Sequence, residues 1–197
     1  MSTSTDLIKK LRGMTGAGML DVKKALDETG GDIDKAAALL RERGIAKAAK
    51  KAERTARDGI VGSYVHHNGR VGVLVELNCE TDFVARNESF RELARNLALH
   101  VAMANPLYVR REEVPQELVE EEKRALRAQA LEEGKPESIV ERMVEGRIGK
   151  FYAEVCLLEQ PYVRDDKKTV EQLLGEAVAS IGENIVVGRF SRIAIGE

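Results

Sequence analysis

Few residues in this chain have types and spacings that could do chemistry. There are three histidines and two cysteines, and no tryptophan. His66 and His67 sit beside the Asn68-Gly69 turn, and neighbouring residues of a strand point to opposite faces, so the pair reads as solvated hairpin histidines rather than as metal ligands. Neither Cys79 nor Cys156 has a Cys-x-x-Cys partner, which argues against zinc. Cys79, at a strand end, would need a nearby base to act as a nucleophile, and none is evident. Cys156, late in a helix beside Leu157 and Leu158, reads as a small packing residue. No G-x-x-x-x-G-K-[ST] loop is present, so direct nucleotide binding by that route is not expected. Catalytic residues, metal and cofactor are all expected to be absent.

Two further clusters carry charge. Residues 41–58 hold seven cationic side chains, among them Lys47, Lys50, Lys51, Arg54 and Arg57, against three anionic ones. An RNA-binding adaptor would use such a stretch, but no aromatic side chains interleave to stack on bases, so a solvated helix is favoured. A salt titration separates the two, because phosphate contacts weaken steeply with salt. The run Glu120-Glu121-Glu122 is the acidic counterpart and reads as an exposed face.

The segment Glu76-Leu77-Asn78-Cys79-Glu80-Thr81-Asp82-Phe83-Val84-Ala85-Arg86 is harder to dismiss. It lies between a strand ending near Leu77 and a helix starting near Asn87. Phe83 in that turn has two readings. Packing into the core is the usual fate of an aromatic side chain. Projecting outward beside Asp82, it would be an anchor that enters a partner's pocket at small entropic cost.

The elements that position these residues follow from periodicity. The chain of 197 residues is 43% hydrophobic and 32% charged, with 31 Lys plus Arg against 33 Asp plus Glu and a net charge of −2. That balance excludes a basic coat for nucleic acid, and two cysteines exclude a disulfide scaffold. No apolar run is long enough for a signal peptide or membrane span, so a cytoplasmic protein is expected. Residues 1–44 read as three short amphipathic helices. Ser4 or Thr5 caps the first, Gly16 to Gly18 break it, Gly30-Gly31 end the second, Asp32 caps the third and Gly44 ends it. Residues 45–58 read as a basic helical linker. From Ile60 the period becomes two, and Asn68-Gly69 marks a hairpin between Ile60–Val65 and Val71–Leu77. Asn87 caps a helix bearing Phe90, Leu93, Leu97 and Val101. A helical hairpin spans about 114–158, turning at Gly134-Lys135-Pro136, and a last helix and a strand through Ile185, Val187, Ile193 and Ile195 complete the core. The fold expected is α+β, with a three-helix head, a linker, and a core over 59–197 in which a small antiparallel sheet packs on helices.

The segment Glu76–Arg86 resembles a signature of the bacterial elongation factor Ts family. The run Leu11-Arg12-Gly13-Met14-Thr15-Gly16-Ala17-Gly18-Met19-Leu20-Asp21-Val22-Lys23-Lys24-Ala25-Leu26 resembles that family's other signature. Weaker similarity continues through Leu158–Val163, Gly182–Ile185 and Arg189–Phe190. Ile193 departs from the aromatic expected in many members, which bears on local packing. The resemblance implies a UBA-like head and a guanine nucleotide exchange factor without catalytic chemistry of its own, whose partner is elongation factor Tu. It implies that Asp82 and Phe83 enter the partner's G domain near its Mg²⁺ and phosphate site, with Thr81 and Val84 holding the turn's shape. The head would dock elsewhere on that domain through Thr15, Gly16, Gly18, Met19 and Val22. Long members contain two core subdomains and this chain has room for one, so a homodimer is the expected source of the second. A three-stranded sheet, unable to cover both of its faces, offers the route.

Overall fold

A computed structural model describes residues 5–197, apart from the side chains of Ile45, Lys47 and Ala48. Ser4, one of the two caps expected for the first helix, lies outside the described residues, as does the side chain of Lys47. The elements run α1 (Thr5–Thr15), α2 (Met19–Glu28), α3 (Ile33–Lys51), β1 (Asp58–Val65), β2 (Val71–Cys79), α4 (Asp82–Ala85), α5 (Glu88–Ala104), α6 (Gln116–Glu132), α7 (Glu137–Val155), β3 (Pro161–Tyr162), β4 (Asp165–Thr169), α8 (Val170–Ile181) and β5 (Val186–Ala194). The class is α+β, as expected. The chain divides into two compact units: the residues up to Leu99 together with Glu171–Glu197, and His100–Val170.

In the first unit, α1 to α3 enclose Leu11, Val22, Ala25, Leu26, Ala36 and Leu40, with Leu7, Ile8, Ile33 and Ala37 packed around them. These apolar residues recur at helical spacing, so each short helix presents one stripe inward. The Lys35 N–H donates to Asp32 Oδ1 at 3.0 Å, which caps α3 and satisfies one of its orphan donors. That backbone hydrogen bond holds the Asp32 carboxyl below its usual range.

Gly44 does not end α3, which continues to Lys51. The reason is packing. A Cβ at Gly44 would lie 3.4 Å from the Gly175 carbonyl oxygen, so a glycine here lets α3 approach the backbone of α8. Arg41 Nε pairs with Glu176 Oε1 at 3.2 Å across the same contact, and Lys51 donates to the Gly182 carbonyl. Much of the basic stretch read as a separate linker is therefore the second half of a head helix, and the boundary expected after residue 44 falls inside α3.

The sheet of this unit has the order β1-β2-β5, antiparallel throughout. Alternation sends Val73, Val75, Leu77 and Cys79 to the buried face, with Phe90, Leu93, Ala94 and Leu97 of α5 buried beside them. The opposite face exposes Val61, Val65, Leu74, Ile193 and Ile195. Val61, Leu74 and Ser191 line a shallow depression there, next to the Glu76–Arg189 pair at 2.8 Å. Hydrogen bonds from Asn78 and then Arg189 hold the Glu76 carboxyl below its usual range.

The second unit contains the expected helical hairpin. Arg127 Nε meets Glu141 at 2.6 Å and Arg147 Nη2 meets Glu133 at 3.2 Å between α6 and α7. Val114, Val119 and Cys156 form one buried cluster, and Ala130, Val140 and Val144 another. Cys156 lies just past α7 and not within it, bridged to Tyr108. The small β3–β4 ribbon was not expected, because Asp165-Asp166-Lys167-Lys168 carries no apolar alternation.

His100 is buried, and its ring is fully committed. The Val163 N–H donates to Nδ1 at 3.3 Å, so Nε2 carries the proton and donates to Gln160 Oε1 at 2.9 Å. The Gln160 amide in turn donates to the Glu154 carbonyl at 2.8 Å. A second proton on His100 would set two donors against each other, and burial itself pushes the pKa below 6.5. The unfolded chain then binds protons that the folded chain refuses. Stability is full above the unfolded value and falls as the pH drops toward the folded one. The midpoint of thermal unfolding is expected to decline below about pH 6.5, and less steeply in His100→Gln; equal slopes in the two proteins would contradict this.

Candidate functional site

The Thr81–Val84 turn is built by local hydrogen bonding. Thr81 is extended and caps the single-turn helix α4, its Oγ1 accepting from the Val84 N–H at 3.4 Å and its carbonyl from the Ala85 N–H at 3.2 Å. Asn87 then starts α5, accepting from the Ser89 N–H at 2.9 Å. Thr81 and Val84 thus hold the turn's geometry between them. One helical turn has one inward position, and Ala85 occupies it at 6% exposure. Phe83 is left outside, 85% exposed. The usual fate of an aromatic residue is not met here, and the outward reading is the one the fold realises. Asp82 is also exposed, and Arg86 Nη2 pairs with its Oδ2 at 2.7 Å.

The base of the turn is fastened from a distant part of the chain. The Glu183 carboxylate accepts from the Glu80 N–H at 3.0 Å, the Thr81 N–H at 3.1 Å and the Thr81 hydroxyl at 2.7 Å. The Asn184 N–H donates to Glu80 Oε1 at 2.6 Å, and the Asn184 amide donates to the Arg54 carbonyl at 2.8 Å. Beneath the turn, the Cys79 thiol donates to the Thr81 carbonyl at 3.2 Å. Burial, with the Glu183 charge adding, pushes that thiol up to about 11, which keeps Cys79 in its neutral form at neutral pH. Glu183 and Asn184 had no expected role, because the contact spans 102 residues and no local pattern announces it.

In the head, the second group of expected residues divides. Met19 is 59% exposed and its neighbour Leu20 76%. Thr15 bonds back to the Leu11 carbonyl at 2.8 Å, and Gly16 and Gly18 are exposed in the intervening loop. The Ser180 hydroxyl donates to the Gly16 carbonyl at 2.8 Å, so this loop and the Thr81 turn are both fastened to residues 180–184. Val22 is different: at 0% exposure it belongs to the head's core and cannot touch a partner. Leu20, for which no role was expected, is the apolar side chain α2 presents there instead.

The two hairpin histidines also differ from expectation. Their ring centroids are 4.2 Å apart, because the chain leaves β1 at Val65 and strand alternation no longer applies. His66 Nδ1 is 2.9 Å from the Tyr64 hydroxyl. Among the described residues there is no group of three or more side chains placed to hold a metal ion, and no helix is long and apolar enough to cross a membrane.

Comparison with known proteins places the sequence in a family. A sequence model of the family described as "Elongation factor TS" matches residues 27–197. The chain is 61% identical over 194 residues to the elongation factor Ts of Desulforamulus reducens, covering 98% of this chain and 89% of that protein. It is 59% identical to that of Thermotoga petrophila over 197 residues, covering 98% of it, and 56% identical to that of Geobacter sulfurreducens, covering 91%. These relatives extend over α1 and most of α2 as well, which the family match beginning at residue 27 leaves out. With a family match over residues 27–197 and relatives 56–61% identical along nearly its whole length, this chain belongs to the elongation factor Ts family.

Proposed function

We propose that this protein is a guanine nucleotide exchange factor that binds elongation factor Tu·GDP, displaces Mg²⁺ and promotes GDP release so that GTP can bind. The observation that carries the reading is Phe83, a large apolar side chain held 85% exposed on a turn capped by Thr81 and fastened at its base by Glu183. An exchange factor needs no chemistry of its own. It binds the nucleotide-free partner more tightly than the GDP-bound form, and by linkage the nucleotide leaves that complex more readily. Phe83 is the wedge. Asp82 supports the rearrangement that disturbs Mg²⁺ coordination, and loss of Mg²⁺ removes the main counter-charge on the diphosphate. This role is consistent with a cytoplasmic protein that uses no cofactor. The test is stopped-flow release of fluorescent GDP from purified elongation factor Tu, with and without this protein. Acceleration is expected, and unchanged release would overturn the reading.

Met19 and Leu20, on a UBA-like head, provide affinity by docking on the partner's G domain. Met19→Ala is expected to raise the half-saturating concentration about tenfold and to change the saturated rate little, because a remote contact adds binding that is uniform along the reaction. An unchanged half-saturating concentration would count against head docking.

The open face of the sheet supports a homodimer. Val61, Val65, Leu74, Ile193 and Ile195 lie exposed on one face, and two copies packed face to face would bury them. Leu74→Lys is expected to yield monomers in sedimentation velocity at concentrations where the unaltered protein sediments as a dimer. A monomeric unaltered protein would refute the assignment.

A further inference from the structure

We propose that Glu183 is a positioning residue for exchange, a clamp that sets the Thr81 turn before the partner arrives. The inference rests on the exchange reading above and adds to it a residue outside both signature segments. Three donors at the base of the turn point at one carboxylate. Glu183 Oε2 accepts two consecutive backbone N–H groups, those of Glu80 and Thr81 at 3.0 and 3.1 Å, and Oε1 accepts the Thr81 hydroxyl at 2.7 Å. Hydrogen bonds to an ionised acceptor are the strong kind. The same Thr81 Oγ1 that donates to Glu183 accepts from the Val84 N–H, so the carboxylate fixes the hydroxyl that caps α4.

Glu183 is itself well placed to be a fixed point. Gly182 ends α8 with φ +95°, a left-handed conformation that a side chain would resist, and this reversal turns residue 183 toward β2. Immediately after it, the Asn184 N–H is bonded to Glu80 and its amide to the Arg54 carbonyl. Without the clamp, α4 keeps the buried Ala85 and the Cys79 thiol beneath it, but loses the acceptor for the Glu80 and Thr81 N–H groups and for the Thr81 hydroxyl that caps it. Its ordering would then fall at the moment of binding and subtract from the energy available to drive the wedge.

The test measures GDP release across a concentration series for three variants. Glu183→Ala is expected to lower the saturated rate about tenfold, with the half-saturating concentration, set mainly by the head, changed less than about twofold. Glu183→Gln keeps the reach and one oxygen for the two N–H groups, and is expected to stay within about threefold of the unaltered protein. Glu183→Asp keeps the charge but falls short by one methylene, and is expected to behave like the alanine variant. This ordering, reach before charge, is one that a general loss of fold would not produce. If Glu183→Ala does not fold, the Gln and Asp pair decides, since equal rates in those two overturn the clamp. Full activity in Glu183→Ala beside a slow Phe83→Ala overturns the clamp alone. Full activity in both overturns the wedge and the clamp together, whereas release left unchanged by the unaltered protein overturns the exchange reading on which the clamp rests.

Discussion

Phe83→Ala is expected to slow the saturated release of GDP about 30-fold, since truncating an aromatic anchor costs about 2 kcal/mol or more when it fills a partner's pocket. The same substitution is expected to shift stability by no more than about 0.5 kcal/mol, the usual scale for an exposed position. Both halves follow from where the side chain sits. Phe83 is 85% exposed, so its removal opens no cavity, and the turn is held by Thr81, Val84 and Glu183 rather than by the ring. Stopped-flow release and thermal unfolding of the same preparation give the two numbers. Unaltered release would sink the wedge, and a large loss of stability would mean that the ring is packed in solution.

Gly62→Ala is the opposite case: a large effect on the fold from a residue remote from any partner. A Cβ at this position in β1 would lie 2.7 Å from the Ala94 carbonyl oxygen and 2.8 Å from its carbon and Cβ. All three belong to α5 near its backbone, so no flexible side chain can swing away. The strand or the helix has to move instead. Overpacking of this kind costs about 3 kcal/mol, which in a chain of this size lowers the unfolding midpoint by about 6–12 °C. Urea and thermal unfolding of the variant check this, and an unchanged midpoint would show that β1 and α5 are not in contact there. The site depends on this contact indirectly, because β2 and α5 are the two elements from which the Thr81 turn is hung.

Legibility in the sequence followed the range of the interactions. The hairpin at Asn68-Gly69, the Asn87 cap, the αα turn at Gly134-Lys135-Pro136 and the buried alternation of β2 rest on neighbours within a few residues, and they stand where the pattern puts them. Gly44 misled because a glycine that ends a helix and one that admits another helix are the same residue in a linear reading. Val22 misled for a related cause. It stands in a signature segment beside exposed residues but also at helical spacing with Ala25 and Leu26, and the packing of α2 on α1 and α3 turns it inward with them.

The sequence by itself determined the class of this protein: α+β, and by its two long motifs a member of one family. Those properties are written in periodicity, caps and contiguous signatures, all short in range. The direction of Phe83, the burial of Val22 and His100, and the fastening of the turn by Glu183 were decided by tertiary structure alone. The reason is physical: whether a side chain faces core or solvent depends on what the rest of the chain brings against it. For the Thr81 turn, the deciding carboxylate arrives from 102 residues away.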